Sequence, residues 1–383
     1  MQQPSLATLF GTFLRLGMTA FGGPAMIPYI RKAVVDRHGW LDEDTFRLGM
    51  GTCQVVPGAT AMQVAAWAGL QARGTLGALA AYLGFAIPAF VLMLALTILY
   101  MKGSDVPALQ GLFAGLQVVV VALVLNAAID FARQYCDTIR ASLLAVIAGV
   151  WFVFKGNPIL ILVLVCIASI FVFRDLSSGR AASGGGRFKS GWGVPAALVL
   201  IVLAAWGALY AVSPQQADLA ALMARIDLFA FGGGYVSLPL MLHEVVEVRG
   251  WFTEARFMDA VALGQLTPGP IVMTATFVGY GVAGFLGSVV ATVAVFTPSF
   301  LILRALAPIA SALVASPVAA RVLKGSLVSL VGLMAAVSWR FMVSIQWSAA
   351  AITVVISAFV ALRLRVDILY VVIGGVILSW LLM

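Results

Sequence analysis

Charge is scarce in this chain: Asp, Glu, Lys and Arg make up 10% of 383 residues, and there are only two histidines. So little charge cannot coat a soluble domain of this size, which excludes that class. Cysteine is scarce too. Cys53, Cys136 and Cys166 lie far apart in apolar surroundings, a spacing that fits neither a disulfide frame nor a metal site and reads as ordinary helix packing. The sequence has no HExxH pair, nucleophile elbow, Cys/His cluster or ATPase motif, which argues against an enzyme or a self-powered pump and leaves no metal or cofactor to expect. The glycine-rich stretch Gly184 to Ser190 carries Phe188 where a phosphate-binding loop needs glycine, so it reads as a linker. Strands of alternating polarity are lacking, which speaks against a barrel. The first residues lack a basic region leading into a short apolar run and a small-residue cleavage site, so no removable signal peptide is expected.

What the chain has in abundance is apolar sequence: 62% of residues are hydrophobic and mean hydropathy is +1.07. Runs such as Leu76 to Met101, Val194 to Val212 and Ile368 to Leu382 are long enough, or nearly so, to cross a hydrocarbon core of about 30 Å as helices. The expected fold is an all-α polytopic membrane protein. A formal charge of +8 is spread over helix ends rather than gathered in a patch; it reads as orientation by the positive-inside rule, with a modest attraction for anions and no nucleic-acid partner.

The chain also repeats itself about 210 positions on. Phe21-Gly22-Gly23 returns as Phe231-Gly232-Gly233, Gly39-Trp40 as Gly250-Trp251, Gln54-Val55-Val56-Pro57-Gly58 as Gln265-Leu266-Thr267-Pro268-Gly269, Gly74 as Gly284 and Pro88 as Pro298. Arg15 answers to Arg225, each six residues ahead of its Phe-Gly-Gly. A match of such residue types at this density marks two homologous halves. The expected divisions are residues 1–173 for the first repeat, 174–193 for a cytoplasmic Gly/Ser-rich basic linker, 194–212 for a connecting transmembrane helix and 213–383 for the second repeat.

Each copy opens with short helices broken at glycine and proline. Paired glycines weaken a helix and proline removes a donor, so the first helix stops at Phe21-Gly22-Gly23-Pro24 and restarts at Pro24 for about 14 residues, roughly 21 Å. Asp42 and Thr253 are the N-caps expected for the next pair of helices. These stop at Pro57-Gly58 and at Pro268-Gly269-Pro270. In a bilayer, broken backbone survives only where it is buried in protein or lines a cavity. One extra crossing, Val194 to Val212, would turn the second copy upside down. The charge counts agree, with four Lys/Arg in residues 29–50 and two in residues 240–261. An inverted-topology repeat with broken or re-entrant helices is a transporter plan, with the substrate near the midplane.

A break leaves N–H groups free at the start of the next half-helix, where the dipole favours an anion. Arg15 and Arg225 are the fixed charges expected beside such ends, since a guanidinium suits a tetrahedral oxyanion. Gln54 and Gln265 either bond substrate or satisfy carbonyls freed by the following proline. Glu43 and Glu254 read as first-turn residues, and His38 and His243 as loop or helix-end residues. Asp130 and Asp227 are candidates for proton carriage.

These motifs, Phe21-Gly22-Gly23-Pro24, Gln54 to Gly58, Phe231-Gly232-Gly233 and Gln265 to Pro270, resemble those of the chromate ion transporter family in its long, two-domain form. The likeness covers nearly the whole chain. It implies a multi-pass protein of the bacterial inner membrane that exports chromate, confers chromate resistance and is linked to the proton motive force, with sulfate as the analogous substrate. The implied substrate-binding residues fall on the breaks: Phe21, Gly22, Gly23, Pro24, Pro57, Gly58, Phe231, Gly232, Gly233, Pro268, Gly269 and Pro270, with Arg15, Gln54, Arg225 and Gln265. Partners are a small oxyanion and membrane lipids; a homodimer is left open. The first copy reads Ala59 where the second has Pro270, so the two half-sites are expected to be unequal. A carrier for sulfate or another oxyanion, or a scaffold or sensor that transports nothing, are the competing readings.

Overall fold

The computed structural model describes residues 3–19, 26–103, 107–176 and 193–382. Among these the chain is helical and has no strand. In order the helices are α1 (Leu6–Thr19), α2 (Met26–Arg31), α3 (Glu43–Val55), α4 (Thr60–Gly103), α5 (Pro107–Tyr135), α6 (Ile139–Val153), α7 (Pro158–Val172), α8 (Gly193–Val212), α9 (Pro214–Phe229), α10 (Ser237–Leu242), α11 (Glu254–Leu266), α12 (Thr274–Leu306), α13 (Ala310–Val314), α14 (Pro317–Ser344), α15 (Ala349–Arg363) and α16 (Ile368–Leu382). Five apolar helical stretches of the described residues are long enough to cross a membrane. Outward faces are apolar as well: Leu200, Ile201 and Leu203 of α8 stand exposed, as they do on a helix meant for lipid rather than water. The chain is an all-α polytopic membrane protein.

The duplication is legible in the backbone. Inside α4 the helix breaks at Arg73 (φ −149°, ψ 26°) and Gly74 (φ 64°, ψ −157°). Inside α12 it breaks in the same way at Ala283 (φ −141°, ψ 27°) and Gly284 (φ 62°, ψ −151°). Glycine is needed at the second position, because that φ is in a region closed to most side chains. The turn so made folds each helix against itself. A Cβ on Gly77 would run into the Gly69 carbonyl, and one on Gly287 into the Gly279 carbonyl.

Asp42 caps α3 by accepting from the Thr45 N–H at 2.7 Å, and Thr253 caps α11 by accepting from the Arg256 N–H at 3.2 Å. The segment expected to restart at Pro24 is observed from Met26, Pro24 lying outside the described residues with Phe21, Gly22 and Gly23. It is not α-helical throughout. Its last six residues, Lys32–Arg37, form a π-helical turn, and so do His243–Val248 in the second copy. Hydrophobic periodicity carries no signal for that widening. Residues 177–192 of the expected linker likewise lie outside the described residues.

The chain folds into two compact units, each built from both homologous halves. The first takes Met1–Val91, Phe173–Ser237 and Pro268–Leu323. Its centre is α9 against α12, with Leu222, Met223, Ile226, Phe277, Val295 and Phe296 buried. Close backbone approach between α1 and α4 uses Gly17 and Gly84: a Cβ there would lie 2.5 Å from the Phe85 carbonyl oxygen and 2.6 Å from that of Phe10. In this unit Arg31 holds Glu43 at 2.7 Å, and that guanidinium keeps the Glu43 carboxyl below the usual range.

The second unit takes Leu92–Val172, Leu238–Thr267 and Lys324–Met383. Here α5 packs on α11, α15 and α16, and Gly332 of α14 meets the Ala145 carbonyl of α6. His243, expected on a loop or helix end, instead opens the π-helical turn with its ring 2.5 Å from Glu247. Glu247 also pairs with Arg340, which reaches Glu254 at 3.1 Å. Lys324 of α14 bonds Asp137, in the loop between α5 and α6, at 2.7 Å and holds that carboxyl below its ordinary value.

Candidate oxyanion site

Arg15 stands on the exposed face of α1. It lines a concavity of about 510 Å³ with Thr8, Thr12, Thr19, Arg37 and His38. Helical spacing brings Thr8, Thr12, Arg15 and Thr19 to one face, and the π-helical turn carries Arg37 and His38 to the same place. Thr19 donates its hydroxyl to the Arg15 carbonyl at 2.9 Å, and the His38 ring stacks on Trp40 at 4.5 Å. Neither Arg15 nor Arg37 has an acidic partner among the described residues. Two guanidinium groups with no acidic partner among the described residues, beside an imidazole and the Thr12 hydroxyl, form an electropositive recess suited to a small oxyanion. Arg225, its repeat partner, is exposed on α9 and is not among the residues lining this recess.

The broken segments meet elsewhere in the same unit. The Gly58 N–H donates to the Ala230 carbonyl at 2.9 Å, joining the Pro57-Gly58 break of one copy to the residue before Phe231-Gly232-Gly233 of the other. Gly233 approaches Thr60 Oγ1, to which a Cβ would stand 3.5 Å away, and Gly234 packs on Ile271 and Val272, just past Pro268-Gly269-Pro270. Gly58 and Gly269 share an unusual backbone, φ 118° and 116°, open to glycine at little cost. A Cβ on Gly58 would collide with Ser299 and lie 2.9 Å from Asp227 Oδ1, and one on Gly269 would lie 2.7 Å from the Ala89 Cβ. The first N–H groups of each restarted helix lack an intrahelical acceptor.

Gln54 is exposed and Gln265 half-buried. Of the two roles open to Gln54, the carbonyl-satisfying one falls to Gln63, whose amide donates to the Pro57 carbonyl at 2.5 Å. Sequence reasoning missed Gln63 and also Arg37 and His38, which it had assigned to orientation or set aside. A signal was present in the run Arg31, Lys32, Arg37, His38 next to the break, but the π-helical turn that aims its last two residues was not foreseeable.

A family model described as chromate transporter matches residues 7–171 and again residues 217–380. The chain belongs to the chromate transporter family. Relatives of this chromate transporter family member include an uncharacterized transporter of Methanocaldococcus jannaschii, 41% identical over 99% of this chain and 95% of its own. The chromate transport protein of Pseudomonas aeruginosa is 32% identical over 77% of this chain and 71% of its own. That of Cupriavidus metallidurans is 28% identical over 78% and 73%. No solved structure matches this member of the chromate transporter family.

Proposed function

We propose that the chain is a secondary transporter that exports chromate from the cytoplasm across the inner membrane and so confers chromate resistance, with sulfate as the competing analogue. The observation that carries the reading is the recess of Arg15, Arg37 and His38, where cationic donors have no acidic partner among the described residues. Relatives named for chromate transport supply the substrate. The duplicated broken helices supply a plan for alternating access, with the second copy inverted in the membrane. An inside-negative potential drives a dianion outward at about 2.3 kcal/mol per charge per 100 mV, and exchange for a proton moving inward adds to that.

The test is uptake of radiolabelled chromate and sulfate into everted vesicles. Chromate uptake above empty vesicles is expected, with Arg15→Gln and Arg37→Gln each raising the half-saturating concentration about tenfold or more, the loss of a charge-assisted contact. Arg225→Gln, outside the recess, is expected to change it less. Vesicles that take up neither anion above background would overturn the transporter reading. Sulfate taken up in preference to chromate would reassign the substrate.

A further inference from the structure

Asp227 is 99% buried, at 1% exposure, in a chain with few buried acids. It lies in the last turn of α9, where α9, the Gly58 break and the part of α12 around Ser299 converge. Oδ2 accepts the Ser299 N–H at 2.7 Å. Oδ1 has no hydrogen-bond partner and faces the α-carbon of Gly58. No ion pair among the described residues includes it. Of the titratable groups on the elements packed against it, Tyr82 of α4 is the one that faces it, its hydroxyl donating to the Phe296 carbonyl at 2.8 Å and lying 3.4 Å from Ser299 Oγ. Arg304 of α12 turns to Thr75 at 2.9 Å, Tyr280 lies beyond the Gly284 kink, and Asp218 and Arg225 of α9 and Tyr210 of α8 are exposed.

The repeat makes this acid one-sided. In the register that pairs Arg15 with Arg225 and Pro88 with Pro298, Asp227 answers to Gly17, Ser299 to Ala89 and Tyr82 to Thr292. The matching contact in the other copy is Gly269 on Ala89, with no ionisable group. Both copies keep the glycine break and one alone places a carboxyl beneath it, so the acid is not a requirement of the break.

A carboxylate sealed from water without a counter-charge is costly, and a proton on Oδ1 removes that cost. A metal cation is a poor fit. It needs several oxygen ligands, whereas Oδ1 is crowded by Gly58 and its partner on the other side is an N–H donor. We propose that Asp227 is the proton-carrying group of the transport cycle: Oδ1 takes a proton from water on one side of the membrane before Gly58 closes over it and returns that proton to water on the other side when the break lifts. Nothing is oxidised or reduced. The proposal rests on the transporter reading and assigns its coupling.

The experiment uses the full chain in proteoliposomes with a trapped pH dye, comparing the parent with Asp227→Asn in chromate accumulation under an imposed pH gradient, proton movement per chromate, and chromate exchange at equilibrium. In Asp227→Asn, accumulation driven by the pH gradient and proton movement are expected to be lost while exchange persists. Undiminished gradient-driven accumulation in Asp227→Asn would overturn the proposal. Chromate transport by the parent with no proton movement would overturn it too and leave the transporter reading standing. No chromate movement by the parent would overturn both. If Asp227→Asn does not fold, the infrared carbonyl band of a protonated carboxyl is read in the parent and in Asp227→Glu. A band that Asp227→Glu shifts supports the proposal, and an absent or unmoved band overturns it.

Discussion

Gly58 is where backbone geometry and packing converge most tightly. Its φ of 118° disfavours any side chain, and the space a methyl would need is held by Ser299 and Asp227. Gly58→Ala is therefore expected to cost about 1–3 kcal/mol in strain alone, read as a lower midpoint of thermal unfolding in detergent. Gly11, with open space around it, is the control, and Gly11→Ala is expected to leave that midpoint within about 0.5 kcal/mol or raise it. The sequence announced Gly58 through its repeat partner Gly269, because residues that only a special backbone requires stand out in a duplicated pattern. Gln63 could not be found that way. Its counterpart is Met273, so the amide that satisfies Pro57 has no echo in the second copy.

At the scale of elements, the half-helices, their caps and the two kinks were legible because proline, glycine and short polar caps act locally. The π-helical turns were not, since nothing in residue spacing distinguishes them. One of them anchors a charged network: Glu247 binds His243 and Arg340, and Arg340 reaches the first residue of α11. These side chains are mostly buried, with 12% of Arg340 and 10% of Glu247 exposed. Arg340→Met leaves buried carboxylates without their cation, for an expected loss of about 3–5 kcal/mol in chemical unfolding, of which Glu247→Gln in the same chain restores part. The loop between α5 and α6 gives a pH signature. Lys324 lowers the carboxyl of Asp137, so this pairing stabilises the fold above the ordinary carboxylate range and is lost as pH falls through the lowered value. The unfolding midpoints of Asp137→Asn and the parent are expected to differ at neutral pH and to converge in acid.

For the whole molecule, the sequence divides at its connector and the fold does not. Each compact unit draws segments from both halves, an interleaving that linear similarity cannot reveal. Residues 1–184 or 185–383 expressed alone are expected to be degraded, and the two expressed together to restore chromate uptake; a stable half on its own, judged by size exclusion, would argue against this. The interleaving leaves the two copies alike in course but unlike in one respect, since a carboxyl stands at Asp227 where its counterpart is Gly17. A proton that enters through Asp227 as a dianion leaves moves charge in the same sense as the anion and offsets none of it. Each turnover would then displace net charge, so a patch or a solid-supported membrane holding this protein would register a current, and clamping the voltage would set the speed and the stopping point of transport.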